Sequence, residues 1–202
     1  MLLTINMMPS LMSDKADGRL ERSKKSRDQI IQAVRELIDE GILIPTAQQV
    51  AETAGVGIRT VFRHFNDMEN LFKEIIKVNQ SENSHFFSPL DKIGTLQERI
   101  ANKIKTRSKA YTKMQNFILA NNALRWRYKF LENQYKLVNK TLRNDFLECL
   151  PEVKKLSKEQ QELVIALASF ECWHRLKCHQ NMSTNDINKL IINQLHDALI
   201  KD

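Results

Sequence analysis

Glycine and proline are scarce in this chain, at five and four among 202 residues. Helix breakers therefore punctuate it at few points. The prolines are Pro9, Pro45, Pro89 and Pro151, and three of the glycines, Gly41, Gly55 and Gly57, gather in one region. Convincing alternating apolar and polar runs, the mark of half-buried strands, are lacking, and so is an internal repeat. The expected class is all-α. No apolar run approaches the roughly 20 residues of a membrane-spanning helix, so no membrane partner is expected. The opening "MLLTINMMPSLM" has neither the basic start nor the long apolar stretch of a signal peptide. Cysteine is limited to Cys149, Cys172 and Cys178, an odd number in a chain of ordinary size. Free thiols in a reducing cytoplasm follow.

Catalytic signatures are lacking as well. There is no glycine-rich phosphate loop, nucleophile elbow or HExxH, so the chain is read as a non-enzyme with no cofactor. "ECWHRLKCHQ" (171–180) is dense in metal-ligand types, with Cys172, His174, Cys178 and His179. On one helix only pairs of these share a face, so four ligands cannot converge, and no metal is expected.

Charge is plentiful and unevenly placed. The net charge is +7. Lys and Arg number 11 against 12 Asp and Glu over 1–82, and 20 against 12 over 83–202. Residues 99–140 hold 11 basic residues and one acid, Glu132, and are read first as a solvated helix face, second as a draw for an anionic effector. The N-terminal part is not basic, so any case for nucleic acid there rests on local placement.

Apolar spacing supplies that placement. Ile30, Ala33, Val34, Leu37 and Ile38 form one stripe of a helix over 24–40, which Gly41 stops. "TAQQ" is a capping box that starts a second helix at Thr46, with Val50, Ala51 and Ala54 inward and Gly55 at its end. A short third helix covers Gly57 to Phe65. Asn66, with Glu69 three residues on, is expected to open a fourth, whose stripe is Leu71, Phe72, Ile75 and Ile76. After a break near 81–94, helices are expected over about 95–126, 128–149, 157–179 and 184–200.

The third helix is "GVGIRTVFRHF" (55–65). At about 100° per residue, Ile58, Val61, Phe62 and Phe65 share one arc, and Arg59, Thr60, Arg63 and His64 the opposite one. A small-residue helix, a glycine turn and a two-sided helix together make the layout of a helix-turn-helix. Arg can bind guanine O6 and N7 with two hydrogen bonds, and Thr or His can address bases or phosphates. The Thr46 end of the second helix suits a phosphate, and Lys24, Lys25 and Arg27 could add backbone contacts. The plain alternative is an amphipathic surface helix with solvated arginines.

Over residues 24–76 the chain, with "TAQQVAETAGVGIRTVFRHFNDMENLFKEI", resembles the DNA-binding region of the TetR family of bacterial transcriptional regulators. The resemblance implies that Ile58, Arg59, Thr60, Arg63 and His64 face the major groove. It implies that Phe62 stands where the family has a phosphate-contacting Tyr, and that Thr46 and Gln48 lie at helix-two contact positions. Gly57 departs from the family's capping Ser or Thr, and Met68 from its phosphate-binding Lys.

The expected organisation is a flexible N-terminal extension (1–22), a helix-turn-helix DNA-binding domain (23–66) and a helical ligand-binding and dimerisation domain (67–202). The resemblance implies a cytoplasmic repressor, homodimeric, released from a palindromic double-stranded operator by a small effector. The dimer would form through the last two helices, with Leu163, Ala166, Leu167 and Phe170 on one and Ile187, Ile191 and Leu195 on the other. Tyr111, Met114, Phe117, Trp126, Phe130 and Trp173 are the candidate walls of an effector pocket. The alternative is a helical interaction protein that kept the fold and lost sequence-specific DNA binding.

Overall fold

The computed structural model describes residues 12–87 and 92–200, with side chains over 18–86 and 92–200. Among these the elements are helical. They form two compact units that divide between Ile76 and Lys77, ten residues beyond the boundary expected at 66.

The first unit holds α1 (Met12–Asp39), α2 (Ala47–Thr53), α3 (Ile58–Phe65) and the start of α4 (Met68–Asn83). Helix α1 begins twelve residues before the expected start at 24. Of these added residues, 18–23 include none that is buried and Leu20 is exposed, so they offer no apolar stripe for spacing to reveal. Residues 1–11 of the expected extension lie outside the described residues. The core of the unit is Ile30, Val34, Leu37 and Ile38 of α1, Val50 and Ala51 of α2, Val61 and Phe65 of α3, and Leu71, Phe72, Ile75 and Ile76 of α4.

Turn chemistry sets the joints. The Thr46 hydroxyl accepts from Gln49 N at 3.2 Å, and Gln49 Oε1 accepts from Thr46 N at 2.9 Å. Gly55, at φ +64°, makes the turn into α3, a conformation that a residue with a Cβ rarely adopts. The expected cap at Asn66 is corrected. Asn66 ends α3 in a left-handed conformation (φ 62°), and Asp67 caps α4 by accepting from Asn70 N at 2.8 Å. Asn66 is held in the turn that ends α3, and the Asp67 carboxylate, one residue later, stands at the free amide.

The second unit holds the end of α4, a 3-10 turn (Ser84–Phe87), α5 (Leu96–Leu124), α6 (Lys129–Cys149), a second 3-10 turn (Pro151–Lys155), α7 (Lys158–Leu167), α8 (Phe170–His174), a π-helical turn (Arg175–His179) and α9 (Thr184–Leu199). Thr95 and Ser157 start α5 and α7 with capping boxes. The single helix expected over 157–179 is corrected to three pieces. At the break the Ser169 hydroxyl accepts from Cys172 N at 3.2 Å. The Ala168 carbonyl receives Arg107 Nη1 and Tyr111 Oη from α5, both at 3.0 Å.

Two other expectations are corrected here. The basic run 99–140 is not wholly a solvated face. Lys103 is 1% exposed and meets both Asp145 oxygens at 3.1 Å. Arg107 donates to the Ala168 and Leu142 carbonyls and lies over the Phe146 ring. These buried cations are held by a carboxylate and by carbonyls, which periodicity cannot foresee. The apolar stripe assigned to a dimer face divides, with Leu163 and Ala166 exposed and Leu167 half-buried on α7. Phe170, Ile187, Ile191 and Leu195 pack in one core with Ile100, Ile104, Phe146 and Trp173, whereas Leu163 of α7 is 61% exposed.

No helix among the described residues is long and apolar enough to cross a membrane.

Candidate nucleic-acid interface

Helix α3 is two turns long and is held by two side chains. Val61 and Phe65, four residues apart, are buried against the first unit's core. Each such burial contributes about 1.5–3 kcal/mol. Ile58 and Phe62 were expected in the same buried arc. They are 39% and 40% exposed instead. The buried sector of so short a helix is narrow, and these two stand at its rim.

The outer surface of α3 therefore carries Ile58, Arg59, Phe62 and Arg63, with Thr60 and His64 half-buried beside them. An apolar residue, two guanidinium groups and a hydroxyl on two consecutive turns can offer base-edge hydrogen bonds and van der Waals contact together. Gly57 stands at the N-cap with extended backbone and supplies no side-chain cap. His64 Nε2 is buried and has no hydrogen-bond partner among the described residues. Burial first, then the charges of Arg63 and Arg27, holds its pKa below the ordinary 6.5. His64 is thus neutral at physiological pH, and its ring lies 6.3 Å from that of Phe65.

Other expected contact residues fall in different places. Thr46 and Gln48 are exposed at the start of α2, and Gln48 donates to Glu52 at 2.6 Å. Lys24 and Lys25 are exposed, but they border an open groove between α1 and Thr53–Ala54 that has no α3 residue in its lining. Arg27 turns inward. Its guanidinium pairs with Glu74 at 2.7 Å and lies 5.1 Å from the centroid of the Phe65 ring. It is expected to contact phosphate, and here it also braces α3 from behind, with a carboxylate and an aromatic face within its reach. Met68, at the first residue of α4, is half-buried.

The candidate effector residues separate. Tyr111 and Trp173 are buried together, with ring centroids 5.9 Å apart, and share the wall of a cavity of about 10 Å³. Met114, Phe117 and Phe130 are half-buried and do not line it. Trp126 is 81% exposed and does not line the cavity. Sequence reading missed Arg107, Ser108 and Ser169, which line the same cavity. Of these only Ser169 left a signal, as a capping hydroxyl three residues before Cys172. No group of three or more His, Cys, Asp or Glu among the described residues could hold a metal ion.

Comparison with known proteins agrees with this geometry. Residues 30–75 match the family model described as bacterial regulatory proteins, tetR family. No curated protein matches the chain. Among solved structures it is similar to a transcriptional regulator from Rhodococcus sp. Rha1, at a TM-score of 0.65 and 12% identity over 88% of this chain and 95% of that one. It is also similar to a Mesorhizobium loti MAFF303099 protein assigned to the TetR family of transcriptional regulators. There the TM-score is 0.61 and the identity 17%, over 88% and 96% of the two chains.

Proposed function

We propose that this chain is a regulator of the TetR family, whose model its residues 30–75 match, and that it is a cytoplasmic repressor that a small molecule releases from its operator. The observation that carries this reading is the seating of α3. Val61 and Phe65 hold the helix from behind, so Arg59 and Arg63 stand outward one turn apart. A rigidly held helix with outward arginines suits insertion into a major groove.

The reading requires two copies. A homodimer presents two α3 helices to half-sites about 34 Å apart, which makes the operator palindromic. Exposed Leu163 on α7 and Leu190 on α9 support a dimer through those two helices. The effector acts by population shift, favouring an arrangement in which the two α3 helices leave register with successive grooves. Helix α4, which contains the division between the units, would transmit it.

The test is footprinting on the DNA flanking the protein's own gene, with the parent and with Arg59→Ala and Arg63→Ala variants. Each variant should lose about 1–3 kcal/mol of specific binding. One observation favours a second reading. Gly57, Phe62 and Met68 each lack a backbone-anchoring group that the family commonly has. Absence of any protected site in the parent would make the chain a helical interaction protein.

A further inference from the structure

The cavity of about 10 Å³ in the second unit is lined with hydrogen-bond donors. Arg107 and Trp173 are both more than nine-tenths buried. Among the described residues, neither Arg107 Nε nor Trp173 Nε1 has a partner. Ser169 accepts from Cys172 N, so its own hydroxyl hydrogen is available to a third acceptor. The acceptors nearby are already used. The Ala168 carbonyl takes Arg107 Nη1 and Tyr111 Oη, and Asn188 Oδ1 takes the Ser108 hydroxyl at 2.6 Å. The lining holds one cation, Arg107, and no carboxylate. Asp145 stands 3.6 Å from Arg107 Nη2 but is shared with Lys103, so it does not fully neutralise the guanidinium.

Buried donors of this kind need an acceptor. The remaining wall is apolar, from Ile104, Ile191 and the Tyr111 and Trp173 rings. The space admits about one water-sized group, such as one oxygen of a larger molecule. Trp173 also sits on a weak element. Helix α8 is five residues long, bounded by the break at Ala168–Ser169 and by the π-helical turn Arg175–His179. Such π turns concentrate at functional sites. Phe170 and Trp173 of α8 pack in one core with Ile104 and Tyr111 of α5 and Ile191 of α9, so a larger molecule behind the indole would need α8 to shift and that packing to loosen.

We infer that this cavity is the head-group end of the effector site, and that it takes the carboxylate of a small apolar organic acid between Arg107, Trp173 and Ser169. The acid's apolar body follows the displaced α8. This rests on the effector-released reading above, and extends it to the chemistry of the effector.

Sodium octanoate is the probe, with methyl octanoate as the uncharged control, titrated into the full chain by calorimetry. Octanoate should bind saturably and the ester at least tenfold more weakly. Trp173→Phe keeps an aromatic six-membered ring but removes the N–H with the pyrrole half of the indole. It should weaken octanoate about tenfold and leave the weaker binding of the ester unchanged, since only the acid uses the N–H. In a Trp126→Phe background, where Trp173 is the remaining tryptophan, octanoate should change its fluorescence saturably. No saturable binding, or equal binding of acid and ester, overturns the inference, as does an unchanged affinity in folded Trp173→Phe. Footprinting of the same preparations separates the two readings. Octanoate that binds without releasing the operator leaves the site standing and defeats effector release. An operator held by a chain that never binds octanoate does the reverse.

Discussion

The guanidinium of Arg27 lies 5.1 Å from the centroid of the Phe65 ring and pairs with Glu74 at 2.7 Å. A cation from α1 thus backs the ring that anchors α3, so the helix offered to solvent is braced by a half-exposed ion pair on its other side. Removing that brace has a defined signature. Arg27→Ala should destabilise the chain by roughly 1–2 kcal/mol, from a half-exposed ion pair and a cation–π contact, as read by urea denaturation. Operator affinity should fall equally at all sequences. The slope of log affinity against log salt should stay unchanged, whereas loss of a phosphate contact would lower it by about 1.

Phe62 supplies a gain-of-function case. It is 40% exposed and lacks a hydroxyl. Phe62→Tyr should strengthen DNA binding by about 0.5–1.5 kcal/mol through a new hydrogen bond to a phosphate. A gel-shift comparison of operator and random DNA should show the gain on both.

Two neighbouring glycines should respond oppositely. Gly57 has extended backbone and open space where a Cβ would stand. Gly57→Ser should stabilise the chain by about 0.5–1 kcal/mol, by capping α3 and restricting the unfolded chain. Gly55, at φ +64°, should lose about 1 kcal/mol or more as Gly55→Ala. Thermal unfolding should move in opposite directions for the pair.

Asp145 meets both Lys103 and Arg107. Asp145→Ala leaves two buried cations without it and should cost about 3–5 kcal/mol. Lys103→Met leaves the Arg107 contact in place and replaces a buried charge by an apolar chain of similar length, so it should cost clearly less. Denaturant midpoints of the two variants decide this.

His64 sets a pH dependence. Its folded pKa lies below the ordinary 6.5, so the unfolded chain binds its proton first as pH falls. Its contribution to stability is fully present above pH 6.5 and is lost as pH falls through the folded value. The parent should therefore lose more stability than His64→Gln between pH 7.5 and 5.5, as followed by urea midpoints.

Much of this was legible in the amino-acid order because local chemistry repeats. The boxes at Thr46, Thr95 and Ser157 each reveal a helix start, and the α1 and α4 stripes became the core of the first unit. A wheel drawn for α3 failed at Ile58 and Phe62, since hydrophobicity says which residues can be buried and neighbours decide which are. The break at Ala168 was hidden because the apolar pattern runs through it. Lys103 and Arg107 were hidden because the groups they satisfy lie far along the chain, at Leu142, Asp145 and Ala168. The cavity follows from that same break, so it too was out of reach.

The bend between α7 and α8 has one more property. Its acceptor at residue 168 is main chain, while the donors are the side chains of Arg107 and Tyr111. The instruction to bend is therefore written some sixty residues upstream of the bend. A small-for-small exchange at 168 keeps the carbonyl and the kink, whereas a change at 107 or 111 rewrites the path of a helix it does not belong to.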